Sequence, residues 1–205
     1  METKILFEER RSVNHFDKTK SIDETLLKDI IDMAVLAPSA FNLQPWRIIA
    51  VKTDANKKKL LGLANNQEKV EEASITLIII GDKDGFAESN PVWDEMLASV
   101  GGKAEIVAGA QQVAAYLYGS SDERKIKFAE SNASLLAMSL MIAAKEYGVD
   151  SHPMNGIDFD GIHKEFGLKE SESVVMLIGL GYFDDTKSLS PRRPRRSFDD
   201  ITSII

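Results

Sequence analysis

Apolar positions along the chain follow two rhythms. Between Asp23 and Ala37, the residues Leu26, Leu27, Ile30, Ile31, Met33, Ala34 and Ala37 recur at helical spacing. That spacing predicts an amphipathic helix with Asp23 as its N-cap and Pro38 as its stop. Two other runs are continuously apolar and rich in β-branched residues: Ser74 to Gly81 (SITLIIIG) and Ser173 to Tyr182 (SVVMLIGLGY). Runs of this length and composition predict central strands buried on both faces. Trp46 to Val51 predicts a further strand with Arg47 on its wetter side, and Val149 to Met154 is extended. Shorter helices are expected over Ile5 to Arg10, Asn56 to Ala64 and Glu68 to Glu72. Another runs from an Asp158 cap through Phe166, with Gly167 at C′. Ala87 to Tyr118 reads as mostly helical, interrupted at Pro91 and at Gly101-Gly102. Asp122 to Tyr147 is the longest helix, capped by Ser121 or Asp122 and ended by Gly148. Many helices and three or four strands, the two best ones far apart in sequence, predict an α+β fold with helices around one small sheet. The tight Gly-rich turn of a doubly wound nucleotide fold is missing.

Composition narrows the function. A chain of 205 residues is expected to form one domain, 1–205. It has no cysteine, which excludes zinc fingers, Fe–S clusters and disulfide frameworks. With 25 Lys+Arg against 32 Asp+Glu the formal charge is −7, which argues against a general nucleic-acid binder. Ile5-Leu6-Phe7 is too short for a signal-peptide core, and Ala133 to Ala144 is too short for a membrane span. A soluble cytoplasmic protein is therefore expected, without membrane partners. The average charge hides an asymmetry: six of the eight arginines are Arg10, Arg11, Arg192, Arg193, Arg195 and Arg196, at the two ends of the chain.

Two guanidinium groups and a hydroxyl in Arg10-Arg11-Ser12 suit a phosphate. Equally, they suit a solvated charge at a helix end. The second cluster, Arg192 to Arg196, reads alone as a basic tail; the two together point to one shared anionic ligand. Pro38-Ser39-Ala40-Phe41-Asn42-Leu43-Gln44-Pro45 sets small and amide residues between prolines. It is either a preorganised loop for a flat heteroaromatic edge or an ordinary helix-to-strand turn. His152-Pro153-Met154-Asn155-Gly156 ends a strand, and Gly156 permits close backbone approach. The tail is broken by Pro191 and Pro194 yet ends in Ile201, Ile204 and Ile205. An extended arm docking on its own chain or on a partner subunit explains both features. Gly179-Leu180-Gly181 is no dinucleotide fingerprint, Gly101-Gly102 no P-loop, and the histidines show no metal-ligand spacing. No G-x-S-x-G elbow is present.

Taken together, ERRSVNHFD (9–17), APSAFNLQPW (37–46), NNQEKVEEAS (65–74), HPMNGID (152–158), KEFGL (164–168) and VVMLIGLGY (174–182) resemble the nitroreductase family of FMN-dependent oxidoreductases. The resemblance spans essentially the whole chain. It implies a nitroreductase-like α+β protomer with a small, mainly antiparallel sheet and an extended C-terminal arm. It also implies an intertwined homodimer with tightly bound FMN at the interface. Arg10, Ser12, Arg193 and Arg195, with Arg11 alongside, are then expected at the phosphate and ribityl chain; Arg192 or Arg196 could replace either tail residue. Pro38, Ser39, Ala40 and Asn42 would reach the flavin from the other subunit. Asn66 is expected at the pyrimidine edge with Lys69 or Gln67 nearby. Pro153, Met154, Asn155 and Gly156 are expected along the dimethylbenzene-to-N5 side. No protein side chain is expected to be catalytic, because flavin N5 carries the chemistry. NAD(P)H is implied as co-substrate, and nitroaromatics, quinones or related electrophiles as acceptors.

One position departs from the family pattern, which has Lys or Arg two residues after the Ser. Here it is Asn14, so Lys69 is left as the cation expected at that edge. Phe86, Trp93, Met96, Tyr116 and Tyr118 read either as the wall of the acceptor slot or as dimer core. Alternative functions are an FMN-sequestering protein without NAD(P)H turnover, a flavin-fragmenting or dehalogenating relative, and a plain dimeric interaction module.

Overall fold

The computed structural model describes residues 3–205. Four strands form one sheet in the order β1-β2-β4-β3: β1 (Trp46–Val51), β2 (Ile75–Asp82), β3 (Asp150–Met154) and β4 (Glu172–Gly181). Every neighbouring pair is antiparallel, so the sheet is wholly rather than mainly antiparallel. Both central strands are those expected from the apolar runs. Along β2 the side chains alternate between two cores. Ile75, Leu77 and Ile79 face one, and Ile78 and Ile80 the other. This alternation follows from the period of two in a strand. The register slips between Ile79 and Ile80, where Val175 of β4 has no partner in β2; such a bulge bends the strand.

The first core is closed by α2 (Glu24–Ala34) and α7 (Asp122–Glu146). The second is closed by α3 (Asp54–Leu63), α4 (Lys69–Glu72) and α8 (Phe159–Glu165). In α7 the 25 residues extend about 37 Å at ~1.5 Å per residue. Gly81 lets β2 approach α7 closely, because an added Cβ would lie 2.8 Å from the Ala129 main chain. The caps follow the sequence: Asp23, Ser121 and Asp158 each accept from a first-turn N–H. Gly148 and Gly167 follow α7 and α8 with positive φ.

Helix α2 ends at Ala34, three residues short of the expected Ala37. Leu36 and Ala37 instead donate to the carbonyls of Met33 and Ala34. Pro38 disfavours helical backbone at Ala37, so the last turn tightens. The segment from Ala87 breaks as expected, into α5 (Val92–Ser99) and α6 (Ala104–Gly119). The remaining helices are α1 (Thr3–Glu9) and α9 (Phe198–Ile201). The single turn α9 was not expected in the tail. It lies beyond both prolines, where Asp200 accepts from the Ser197 N–H and hydroxyl. No helix of the described residues is long and apolar enough to cross a membrane.

Candidate functional site

Four distant segments converge beside the open edge of β3. Residues 10–16 run extended after α1, with Ser12 and Asn14 exposed and Val13 buried between them. Ser12 bridges to Ser151 in β3, and the Val13 N–H donates to the Ser151 carbonyl at 3.2 Å. The Ser151 hydroxyl is buried and has no hydrogen-bond partner among the described residues. His152 Nδ1 donates to the Val13 carbonyl at 2.7 Å; a carbonyl only accepts, so Nδ1 carries the proton. Burial, and then the nearby Lys69 ammonium, hold the His152 pKa below its ordinary value. The ring is therefore neutral at neutral pH, with the Lys69 charge near enough to act on it. Glu72 closes the group, accepting from the Phe16 N–H at 3.4 Å.

The loop after α3 supplies the next part. Asn65 and Asn66 both adopt positive φ, which asparagine tolerates better than most residues. Asn65 Nδ2 and Gln67 Nε2 both donate to the Gly156 carbonyl, at 2.9 and 3.0 Å. These bonds lock the 65–67 turn to the end of β3, while Asn66 between them is exposed. Lys57 is buried and donates to the carbonyls of Ala73 and Glu71, which end α4. It thereby fixes the short helix that begins with Lys69. Pro153 is half-buried, and Asn155 and Gly156 are exposed. Met154 sends its side chain into the second core, 3% exposed, and so has only its main chain to offer a ligand.

The tail brings the last cations. Arg192 donates to the carbonyls of Glu8 and Arg10, and Arg11 donates to the carbonyl of Ser190. The two arginine clusters therefore meet. Burial first, and then the charges of Arg192, Arg195 and Arg11, lower the Arg10 pKa. No carboxylate among the described residues pairs with any of these four groups. Arg195 stands near Arg10, whereas Arg192 is committed to main-chain carbonyls as a strap. Arg193 is exposed, and its carbonyl accepts from Arg195 at 2.8 Å.

The Pro38–Asn42 loop lies elsewhere. Its Ala40 N–H donates to the buried Asn132 side chain of α7 at 2.9 Å, and Asn132 donates to the Phe128 carbonyl. Ser39 Oγ accepts from the Gln44 N–H. Phe41, Asn42 and Gln44 all have positive φ, a shape Phe seldom adopts. None of the loop's hydrogen bonds among the described residues reaches the arginine cluster. Under the loop, Leu43, Trp93 and Phe128 form a third core with Phe41, Phe86, Met96 and Tyr118 around it. Trp93 is 2% exposed, Phe86, Met96 and Tyr118 are half-buried, and Tyr116 is exposed.

Sequence reasoning passed over Asn65, Lys57 and Asn132. Asn65 had a signal, since paired asparagines after a helix favour positive φ. Lys57 and Asn132 read as ordinary helix residues.

The molecule is thus a small antiparallel sheet flanked by helices, with cations and exposed amides gathered at one edge, a chemistry suited to an anionic ligand with hydrogen-bonding edges. The profile of the Nitroreductase family matches residues 7–182. A relative, MhqN of Bacillus subtilis (strain 168), named for NAD(P)H nitroreductase activity, is 32% identical over 98% of this chain and 97% of its own. The crystal structure of ydfN from Bacillus subtilis, described as a nitroreductase, superposes with a TM-score of 0.92 at 30% identity, covering 100% of this chain and 99% of that one. A nitroreductase structure from Exiguobacterium sibiricum solved in complex with FMN gives a TM-score of 0.83 at 26% identity, over 99% and 97%. The chain belongs to the nitroreductase family and is an oxidoreductase of that family.

Proposed function

We propose that the chain is an FMN-dependent NAD(P)H:acceptor oxidoreductase that works as a homodimer with FMN at the interface. The observation that carries this is the convergence of Arg10, Arg11, Arg192 and Arg195 without a counter-charge among the described residues. Such a cluster is repulsive until an anion enters it, and a phosphate monoester satisfies both its charge and its forked geometry. The residues present fit the cofactor.

Arg10, Arg11 and Arg195 hold the phosphate with Ser12, while Arg192 keeps the tail in place. Asn14, Asn66 and Lys69 would supply one ring edge with donors and one positive charge. Gly156, its carbonyl locked to the 65–67 turn, borders the ring's other side with Asn155, Pro153 and the Met154 main chain. Ser39, Ala40 and Asn42, held rigid by Asn132 and Pro38, serve the flavin of the other copy. Two features support that arrangement. The loop makes no hydrogen bond to its own chain's cluster. In addition, Leu135, Met138, Phe198, Ile201, Ile204 and Ile205 are all exposed, a surface a second copy would cover. When bound there, FMN would supply the hydride-transfer chemistry that links NAD(P)H to a nitroaromatic, quinone or related electrophile in a ping-pong cycle.

Anaerobic stopped-flow reduction of the FMN-loaded protein by NADH and NADPH, followed by an acceptor panel, tests this reading. Reduction followed by acceptor-dependent reoxidation is expected. A protein that takes up no FMN refutes the reading. One that binds FMN but consumes no NAD(P)H with any acceptor is a flavin-sequestering protein instead.

A further inference from the structure

A cavity of about 480 Å³ opens between the end of α6 and the start of α7. Its lining is Ala40, Leu117, Tyr118, Arg124, Lys127, Phe128, Ser131 and Asn132. Three properties set its chemistry. Its volume falls in the ordinary range for small-molecule sites. One wall is aromatic: the rings of Tyr118 and Phe128 stack at 4.5 Å with 22° between their planes. Its charged residues are both cations. Arg124, Lys127 and Ser131 recur three and four residues apart, so they share one face of α7. Arg124 spends one donor on the Leu117 carbonyl at 3.3 Å, and neither Arg124 nor Lys127 pairs with a carboxylate among the described residues. The nearby Glu123 is turned to Ser121. Four other cavities on the surface each carry at least one carboxylate.

We infer that this cavity is the acceptor pocket, and that it selects planar electrophiles bearing a carboxylate. The inference rests on the proposed function, because Ala40 joins the cavity to the loop that serves the flavin. The aromatic wall takes the ring of the acceptor, and Arg124 and Lys127 take its carboxylate. Ser131 stands one helical turn further on as a neutral donor. An uncharged acceptor of the same shape leaves both cations unmet.

The test compares 4-nitrobenzoate with 4-nitrobenzamide, which share ring and nitro group and differ in charge. Binding is read by calorimetry on the FMN-loaded protein, and turnover by kcat/KM with saturating NADH. Wild type is expected to favour the benzoate by about five- to tenfold, as partly exposed charge-assisted contacts allow. The preference should shrink as ionic strength rises. In Lys127→Gln, and in Arg124→Gln provided its FMN retention and melting temperature match wild type, the ratio should fall toward one. Equal ratios in wild type and in Lys127→Gln overturn the inference. If the variants instead change the NADPH-to-NADH ratio and leave the benzoate preference alone, the cations serve the dinucleotide and the inference again fails. Should wild type reduce neither these compounds nor any other acceptor of the panel, the proposed function fails, while the calorimetric ratio still decides the pocket.

Discussion

Arg10→Ala separates a ligand-binding arginine from a structural one. The Arg10 guanidinium has no hydrogen-bond acceptor among the described residues, and Arg11, Arg192 and Arg195 act on it as like charges. Removing it costs the packing of a half-buried stem and relieves repulsion, and these two changes oppose each other. The apo protein should therefore melt within about 2 °C of wild type, on the scale where 1 kcal/mol shifts a chain of this size by about 2–4 °C. The loaded protein behaves differently. A hydrogen bond between charged partners contributes about 1.5–3 kcal/mol, so losing it should raise the FMN dissociation constant roughly 10- to 150-fold. Quenching of FMN fluorescence gives the dissociation constant, and a thermal melt of the FMN-free protein gives the stability. The salt dependence of FMN affinity should also be shallower in the variant, because one cation has gone. Arg192→Ala is the contrasting case. Its guanidinium holds the carbonyls of Glu8 and Arg10, so that variant should free the tail and raise its protease sensitivity. If apo Arg10→Ala melts far below wild type, or keeps FMN affinity within twofold, the reasoning about the cluster is wrong.

Asn14→Lys should raise the midpoint potential of bound FMN, since a cation at the ring edge favours an anionic reduced ring; a redox titration showing an unchanged or lower midpoint would count against it. Gly81→Ala places a Cβ 2.8 Å from the Ala129 main chain and should destabilise by about 1–3 kcal/mol in denaturant unfolding; a neutral result would mean β2 and α7 can part without cost. Glu172 is 4% exposed and accepts two hydrogen bonds from Arg47, at 2.7 and 2.8 Å, and the Arg47 bonds first hold its pKa below the usual carboxylate range. A depressed carboxylate stabilises above its unfolded pKa and loses that contribution as pH falls through the folded value. Melting temperatures of wild type should accordingly drop below about pH 4.3, and Glu172→Gln should be less stable at pH 7 with a flatter acid limb. Parallel acid limbs would contradict the assignment.

The parts of the fold that read from sequence are those ruled by local pattern. The apolar runs of β2 and β4 have no polar face, so only the centre of a sheet can hold them. Asp23, Asp158, Gly148 and Gly167 act on their own turns, and each took the role its residue type implies. What escaped the sequence depends on partners far along the chain. Arg47 reads as a solvent-facing strand residue until β4 places Glu172 across β2. Val175 reads as one more core residue, yet it is the extra residue of a bulge. Phe41 adopts a positive φ next to Ala40, whose N–H is anchored on the distant Asn132, and nothing in a phenylalanine announces it. In the site, both arginine clusters were visible, but which tail arginine turns back onto the chain was not. The strap role of Arg192 depends on carbonyls of Glu8 and Arg10, and a carbonyl carries no sequence identity.

The strap also sets an order of assembly. All four strands are complete at Gly181, and the cations that close the arginine cluster arrive only with Arg192 and Arg195. Up to that point the growing polypeptide has its core and, on the proposed reading, only half of its phosphate site. A protease cutting the exposed stretch between Asp185 and Ser188 would remove Arg192, Arg195 and the apolar arm together, and on the proposed reading the phosphate would lose its tail cations while the four strands keep every residue. If the arginine cluster holds FMN as proposed, cofactor content becomes a record of whether the tail is intact, readable from the colour of the protein.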